Sequence, residues 1–300
     1  MSSNFWLDLL ILTLVWAGIA GSWNLLAGFA GQFSLGHAAF IGIGAYVPAL
    51  LVLRLGIAPL LGIVAGAVVA GCFAFVVAAV SLRTRGPFFS LMTIAFAEVT
   101  KILAIYLKPL TNGSEGLTLA LAPGLPNLLF VDKGPYVAIS SVYAFAVFGL
   151  SFWLRRSRLG YRVLAVRDDE NAAQSLGVPP FFLRLVAAIM SASGAAIGGT
   201  ILAFYTQFID PDSTLSFTLS IEAALIAIVG GLGDPLGPLF GAILVVPLEH
   251  LTRGWFGGLL SGLDGLIFGI LLIAILLTLP DGLVDGWRRW GYRRMRRRYA

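Results

Sequence analysis

Apolar runs long enough to cross a lipid bilayer recur along most of this 300-residue chain. A helix needs about 20 mostly apolar residues to span the hydrocarbon core, and within lipid it must satisfy its own backbone hydrogen bonds. Only 12% of the residues are charged, about half the share found in soluble domains. The alternating ten-residue strands of a transmembrane barrel do not occur in the sequence. The sequence therefore predicts an all-α, polytopic bundle of transmembrane helices.

The boundaries of the apolar runs allow eight to ten spans and favour nine. The second run also fits a re-entrant segment, and the eighth is short and contains two prolines. The first run lacks a basic leader and a clear A-x-A cleavage site, so we expect it to remain in the mature protein. The nine runs lie near residues 9–29, 37–53, 58–81, 88–107, 136–154, 184–205, 215–232, 236–252 and 262–279.

The distribution of basic residues indicates the orientation. With the C-terminus in the cytoplasm, the cytoplasmic segments hold fifteen of the 20 basic residues, which agrees with the positive-inside rule and places the N-terminus outside. A basic tail after a membrane helix marks the cytoplasmic side more often than a nucleic-acid site. We expect one transmembrane domain over residues 1–286 and a basic cytoplasmic tail over 287–300. The fifteen residues are Arg83, Arg85, Arg155, Arg156, Arg158, Arg162, Arg167, Arg184, Arg288, Arg289, Arg293, Arg294, Arg296, Arg297 and Arg298.

The sequence contains little that could support catalysis. Cys72 is the only cysteine, and His37 and His250 are the only histidines, so we expect no disulfide and no metal site. There is no phosphate-binding loop of the G-x-x-x-x-G-K-[ST] type and no G-x-S-x-G nucleophile motif. We therefore expect no cofactor in this chain and no enzymatic activity. Any active transport must take its energy from a partner or from an ion gradient.

Glycine is concentrated in two stretches, residues 26–46 and 228–244. Small residues let helices approach closely in lipid, and they also permit broken helices where the freed backbone faces protein or water. We expect these glycines to serve helix packing or helix breaks: Gly28, Gly31, Gly36, Gly42, Gly44, Gly230, Gly231 and Gly233.

Few charged residues lie within the predicted spans. Each costs roughly 2.5–3.5 kcal/mol on insertion scales. Glu98 and Lys101 are three residues apart on one helix face and can form an ion pair. This pair fits a structural role and also fits the lining of a polar pathway. Glu222 has no local partner, which favours a role for it inside the bundle.

Two segments between spans are too long to be simple turns. Residues 108–135 face outward and contain the polar stretch TNGSEGL, residues 111–117. Gly113 and Gly116 allow tight turns there, while three neighbouring residues offer hydrogen bonds. The stretch is either a solvated loop or a surface that meets a substrate or its delivery protein. The three are Asn112, Ser114 and Glu115.

The second long segment, residues 155–183, faces the cytoplasm. Its acidic residues favour the positive N-terminus of a helix, Gly177 is a natural helix end, and Pro179 and Pro180 prevent the helix from resuming. The pattern predicts an isolated helix of two to three turns whose small alanines admit a partner surface, although an ordinary capped loop helix also fits. The acidic residues are Asp168, Asp169 and Glu170, and the alanines are Ala172 and Ala173.

The pattern E-N-A-A-x-x-x-G at residues 170–177 resembles the coupling-helix signature of bacterial ABC importer permeases, with Asn171 as an extra residue. Four further motifs occur in order. Together they resemble the permease subunits of branched-chain amino-acid ABC transporters, in the LivM-like branch. Relatives often have glycine where this chain has Asn112. The four motifs are NLLAGFAGQFSLGHAAFIGIGAY, LMTIAFAEV, TNGSEGL and IVGGLGDPLGPLFGA.

The resemblance implies a subunit of an ATP-driven importer in the bacterial inner membrane. Its partners would be a LivH-like permease, two cytoplasmic ATPases that bind ATP and Mg²⁺, a periplasmic binding protein and membrane lipids. The helix at 168–177 would dock on an ATPase. Candidates for the substrate side are Glu98, Glu222 and residues 112–116. The cargo would be leucine, isoleucine or valine, while urea, short amides and aromatic acids remain alternatives. An autonomous ion-coupled carrier of small amphipathic solutes is the competing hypothesis, although it would need more buried carboxylates.

Overall fold

A computed structural model describes residues 3–84, 87–119, 124, 128–256, 263–278 and 282–284. The basic tail at 287–300 lies outside the described residues. A π-helical turn at Leu25–Phe29 extends the first helix, and a 3₁₀ turn occurs at Gly113–Glu115. The elements are α1 (Ser3–Asn24), α2 (His37–Leu55), α3 (Pro59–Ser81), α4 (Pro87–Tyr106), α5 (Lys108–Thr111), β1 (Leu117–Thr118), α6 (Gly134–Arg156), α7 (Arg158–Asp168), α8 (Glu170–Ser175), α9 (Pro180–Thr206), β2 (Phe208–Ile209), α10 (Pro211–Thr214), α11 (Phe217–Gly230), α12 (Gly237–Phe256) and α13 (Leu263–Thr278).

These helices confirm an all-α, polytopic bundle, and helices lie on all nine predicted runs. Within the described residues, seven helical segments are long and apolar enough to cross a membrane. They comprise α1 with its π-helical turn, α2, α3, α4, α6, α9, and α10 together with α11. The eighth and ninth runs correspond to α12 and α13, which do not meet that criterion over their described residues. The second run forms α2, a continuous helix that begins at His37.

The centre of the bundle is formed by α1, α2 and α9. A buried polar cluster joins them, because His37 Nε2 lies 2.8 Å from Ser191 Oγ. That hydroxyl in turn donates a 2.6 Å hydrogen bond to the carbonyl of Ser22. In lipid, hydrogen bonds between helices add to van der Waals packing, since the hydrophobic effect gives little drive for association. The cluster therefore fixes the register of the three central helices.

Glycine allows α2 and α9 to approach each other closely. A Cβ on Gly44 would overlap the backbone of Ala196, and a Cβ on Gly199 would overlap the backbone of Ile41. The Thr200 hydroxyl also donates a 2.6 Å hydrogen bond to the Gly44 carbonyl. Gly44, one of the glycines predicted to serve helix packing or helix breaks, thus lies where α2 meets α9.

The bundle has two distinct ends. At one end, β1 pairs with β2 in antiparallel register, which brings the segments that follow α4 and α9 together. We call this the sheet end. The segment 157–179 joins the opposite ends of α6 and α9, and we call that the arginine end because it contains Arg155 and Arg167. The Gly-rich turn after α11 lies there too, since Asp234 contacts Arg155.

The packing of Gly44 makes a prediction about stability. Gly44→Ala places a Cβ against backbone that cannot move away, and overpacking of this kind costs about 1–3 kcal/mol. We expect a lower midpoint of thermal unfolding for the purified protein in detergent. Gly149→Ala is the matched control, because a Cβ added to Gly149 inside α6 would have no neighbour within 4 Å and alanine favours helices. Equal midpoints for the two variants would contradict the role of Gly44.

Candidate functional site at the arginine end

The polar segment between α6 and α9 folds as two helices. The Ser157 hydroxyl accepts a 3.0 Å hydrogen bond from the Gly160 amide and caps the start of α7. Val163 and Val166 are buried on one face of that helix. Asp168 is the last residue of α7, and the chain turns at Asp169, which has φ −152° and ψ 106°. The single helix expected over 168–177 is therefore shorter, and an amphipathic helix that the sequence analysis missed precedes it.

The second helix, α8, is short and firmly capped. An Asp169 carboxylate oxygen accepts a 3.0 Å hydrogen bond from the Ala172 amide, as an N-cap residue does. Gly177 has φ 78°, a left-handed conformation that suits glycine at a helix end. Asp169 and Gly177, both predicted candidate residues, thus define the start and the end of α8.

The helix is not isolated, in contrast to the prediction from sequence, but packs on its neighbours. Ala173 is only 3% exposed and belongs to a core shared with α7 and α9. Glu170 accepts a 2.9 Å hydrogen bond from Arg184 at the start of α9. Asn171 and Ala172 face outward. Of the two predicted alanines, Ala172 is therefore the one that a partner can reach.

Two arginines connect this segment to the rest of the bundle. Arg167 donates a 2.5 Å hydrogen bond to the carbonyl of Gly28, within the π-helical turn. Arg155 donates a 3.0 Å hydrogen bond to the carboxylate of Asp234, a residue that is 6% exposed. Charge-assisted bonds of this kind are about twice as strong as neutral ones.

The two glycine-rich stretches meet at this point. The Asn24 side chain donates a 3.0 Å hydrogen bond to the Asp234 carbonyl and accepts a 2.9 Å bond from the Gly233 amide. A Cβ on Gly28 would overlap Asn24 and the Gly233 backbone. The close approach of the π-helical turn to the turn after α11 therefore requires glycine at position 28.

The remaining predicted glycines lie at turns and contacts. Gly31 has φ 71° and packs against the Arg167 side chain. A Cβ on Gly36 would overlap the backbone of Thr93, and one on Gly42 would overlap the side chain of Leu215. Gly230 and Gly231 abut Gly237 across the turn between α11 and α12.

At the sheet end, TNGSEGL forms a tight structure with three left-handed residues. Asn112, Gly113 and Gly116 have φ values of 64°, 60° and 77°, which confirms the predicted turns. Asparagine tolerates this region better than other non-glycine residues, so it can occupy this turn position. The Asn112 amide also donates a 2.9 Å hydrogen bond to the Gly116 carbonyl. Ser114 and Glu115 are exposed.

The charged residues within the helices have partners beyond those that the sequence indicated. Lys101 lies 2.8 Å from the carboxylate of Asp212 in α10 and also interacts electrostatically with Glu98. A long lysine side chain reaches readily from within the bundle towards the polar end of a helix. Glu98 is exposed on α4. Glu222 has a neighbour on another helix, since its carboxyl group interacts with that of Glu249 in α12.

The sheet end also contains a cavity of about 520 Å³. Lys133 and Asp8 form an ion pair of 2.5 Å in its wall, and Tyr205 donates a hydrogen bond to the same aspartate. His250 also lines the cavity, together with apolar side chains from α1. The cavity thus combines charged and apolar surface near the end of the bundle.

Comparison with known proteins identifies the family. The sequence profile described as "Branched-chain amino acid transport system / permease component" matches residues 5–276. The chain belongs to that family. Its relatives include permease proteins of branched-chain amino acid transport systems.

Individual members show how far the similarity extends. The Escherichia coli K12 high-affinity branched-chain amino acid transport system permease protein LivM is 29% identical over 95% of this chain and 71% of its own length. The corresponding LivH protein is 24% identical over 90% of this chain and 91% of its own. PsaBC from Streptococcus pneumoniae in complex with Fab matches with a TM-score of 0.48 and 14% identity over 90% of this chain and 89% of its own, a likeness that carries no argument.

Sequence reasoning missed several residues of this site. The arginines served in the sequence analysis only to orient the chain, although Arg155 and Arg167 form contacts inside the bundle. Asn24 offered a signal, because it is a polar residue inside an apolar run, and Asp234 offered another as the acid of the motif IVGGLGDPLGPLFGA. The missed residues are Asn24, Arg155, Arg167, Arg184 and Asp234.

The Arg155–Asp234 contact can be tested with a double-mutant cycle. Arg155→Gln and Asp234→Asn should each lower the free energy of unfolding in detergent, because each removes one member of a partly buried ion pair. The double variant should lose less than the sum, with a coupling energy of about 1–2 kcal/mol. Arg156→Gln, an exposed neighbour, is the control and should be additive with Asp234→Asn. Additivity in both cycles would show that the ion pair contributes nothing.

Proposed function

We propose that this chain is one of two permease subunits of an ATP-driven importer for leucine, isoleucine, valine or related small solutes. The observation that carries the proposal is the short capped helix α8, which has an exposed face and directly follows α7, whose Arg167 contacts the π-helical turn at the end of α1. The chain lacks a phosphate-binding loop, so a motor must act on it from outside. The family supports this, since both LivM and LivH are named permease proteins of a branched-chain amino acid transport system.

In this proposal the second permease is LivH-like, two cytoplasmic ATPases bind ATP and Mg²⁺, and a periplasmic binding protein delivers the solute. Residues 1–286 form one domain with nine spans in the bacterial inner membrane. The arginine end and the basic tail at 287–300 face the cytoplasm, and the sheet end faces the periplasm. The excess of basic residues at the arginine end supports this orientation.

The contacts suggest how motion of a motor would reach the bundle. Glu170 links α8 to Arg184 at the start of α9, so the two helices would move together. Arg167 is hydrogen-bonded to the carbonyl of Gly28 in the π-helical turn, so a movement of α7 would be transmitted to that turn. π-helical turns are common at functional sites. Small shifts at an effector site are amplified into rigid-body movements of helices in many switching proteins. A displacement of α8 by a motor could therefore move the helices to which it is connected.

On the opposite end, the exposed residues Ser114 and Glu115 would meet the delivery protein. The turns at Asn112, Gly113 and Gly116 hold them in place, and the pairing of β1 with β2 connects this surface to α9. Glu222 lies closer to the bundle interior, beside Glu249 of α12.

The orientation is tested by labelling single cysteines. In a Cys72→Ala background, Val131→Cys and Leu176→Cys place thiols at the two ends, where these residues are 86% and 84% exposed. We expect a membrane-impermeant maleimide to label position 131 in intact spheroplasts and to label position 176 only after permeabilisation. The reverse pattern would show that the arginine end faces the periplasm.

The motor contact is tested by photo-crosslinking. Ala172→Cys, carrying a benzophenone maleimide in the Cys72→Ala background, should crosslink to a co-expressed ATPase, because Ala172 lies on the exposed face of α8. The product is identified by mass spectrometry, and crosslinked complexes should hydrolyse ATP without importing solute. Ala173→Cys is the matched control, since its side chain is buried and should react poorly. Failure of position 172 to crosslink in an intact complex would refute the coupling role of α8.

A further inference from the structure

Helix α4 leaves most of its surface uncovered. Only 22% of its apolar stretch is buried within the chain, the smallest share among the seven candidate spans of the described residues. Its exposed face includes Leu91, Ala95 and Ile102. These side chains lie at helical spacing along one stripe, which either lipid or another subunit would cover in the membrane.

A single carboxylate interrupts this stripe. Glu98 is the twelfth of the 20 residues of α4, so it lies near the middle of the span. It is exposed and shares its face with Ala95 and Ile102, which precede it by three residues and follow it by four. Intramembrane carboxylates almost always face the bundle interior or water and are rarely turned towards lipid. The stripe around Glu98 is therefore a poor surface for lipid.

Within the described residues, Lys101 is shared between Glu98 and a second carboxylate. Lys101, one turn further along α4, lies 2.8 Å from Asp212 and also interacts electrostatically with Glu98. One ammonium group beside two carboxylates leaves a net negative charge at this stripe. The stripe offers a negative group beside aliphatic side chains, which is complementary to the ammonium group and hydrocarbon side chain of an aliphatic amino acid.

We propose that Glu98 lines the translocation pathway and pairs with the α-ammonium group of the amino acid, whose side chain contacts Leu91, Ala95 and Ile102. The inference rests on the proposed function, because it places the pathway between this face and the second permease. It deepens that function by assigning ammonium recognition to one carboxylate. Lys101 forms its ion pair with Asp212, so the charge of Glu98 is only partly compensated within this part of the chain.

The test uses the complete importer, with both permeases, the ATPases and the binding protein, in proteoliposomes that contain ATP. Glu98→Gln keeps the shape of the side chain and removes its charge, so leucine uptake should fall about tenfold, as expected for loss of one charge-assisted hydrogen bond. ATP hydrolysis stimulated by the loaded binding protein should persist, and Glu98→Asp should restore most of the uptake. Val99→Gln, an exposed neighbour, is the matched control and should transport normally.

Chemical modification then separates a pathway from a protein contact. In a Cys72→Ala background, Glu98→Cys should react with 2-sulfonatoethyl methanethiosulfonate, which restores a negative charge and should recover uptake. The trimethylammonium analogue should react as well but leave uptake low. Saturating leucine should slow both reactions, because the amino acid would occupy the same space.

Three results would overturn the inference. They are normal uptake by Glu98→Gln, equal effects of the two reagents, and loss of uptake because Glu98→Gln separates the two permeases. The last would assign Glu98 to a contact with the partner subunit. A wild-type complex that imports no amino acid would instead overturn the proposed function, and this inference with it.

Discussion

The ion pair between Asp234 and Arg155 holds together segments that are far apart in the sequence. Asp234 is almost fully buried, and a buried carboxylate without a partner is strongly unfavourable. The pair therefore fixes the end of α6 against the turn that joins α11 and α12. At the end of α1, the Asn24 side chain forms hydrogen bonds with the Asp234 carbonyl and the Gly233 amide of that turn. The ends of α1 and α6 and the turn after α11 therefore meet in one polar cluster.

The bundle itself was largely predictable from the sequence, because a span needs about 20 apolar residues and the runs are easy to see. The predicted limits of the second run, 37–53, differ by two residues from the end of α2 at Leu55. The sequence did not predict the smaller elements. The helix α7 combines buried valines with arginines over only three turns, and the polar composition of its loop concealed that pattern. The strands β1 and β2 contain two residues each, too few to produce a periodic signal.

The candidate site was predictable in its parts but not in its connections. The glycines of the two rich stretches are predicted to serve helix packing or helix breaks, but the sequence does not show that the stretches meet at Gly28 and Gly233. The arginines were harder to place, because the positive-inside rule already accounts for an arginine near a membrane without any contact. For a related reason the sequence did not show Asp212 as a partner of Lys101, since spacing identifies Glu98 on the same helix and cannot show a second carboxylate on α10.

The contacts of α9 determine what a push on α8 would move. Glu170 and Arg184 connect α8 to the first turn of α9, and Ala173 packs into the same core. Further along, α9 contacts α1 and α2 through Ser191, and it packs against α2 again at Gly199 and Thr200. If α8 carries the motor contact proposed above, α9 is then the rigid path along which the motion travels. Because α9 and α2 pack with their backbones in close contact at Gly44 and Gly199, α2 would move together with α9. In α1, the π-helical turn that Arg167 contacts is the position where the helix could bend.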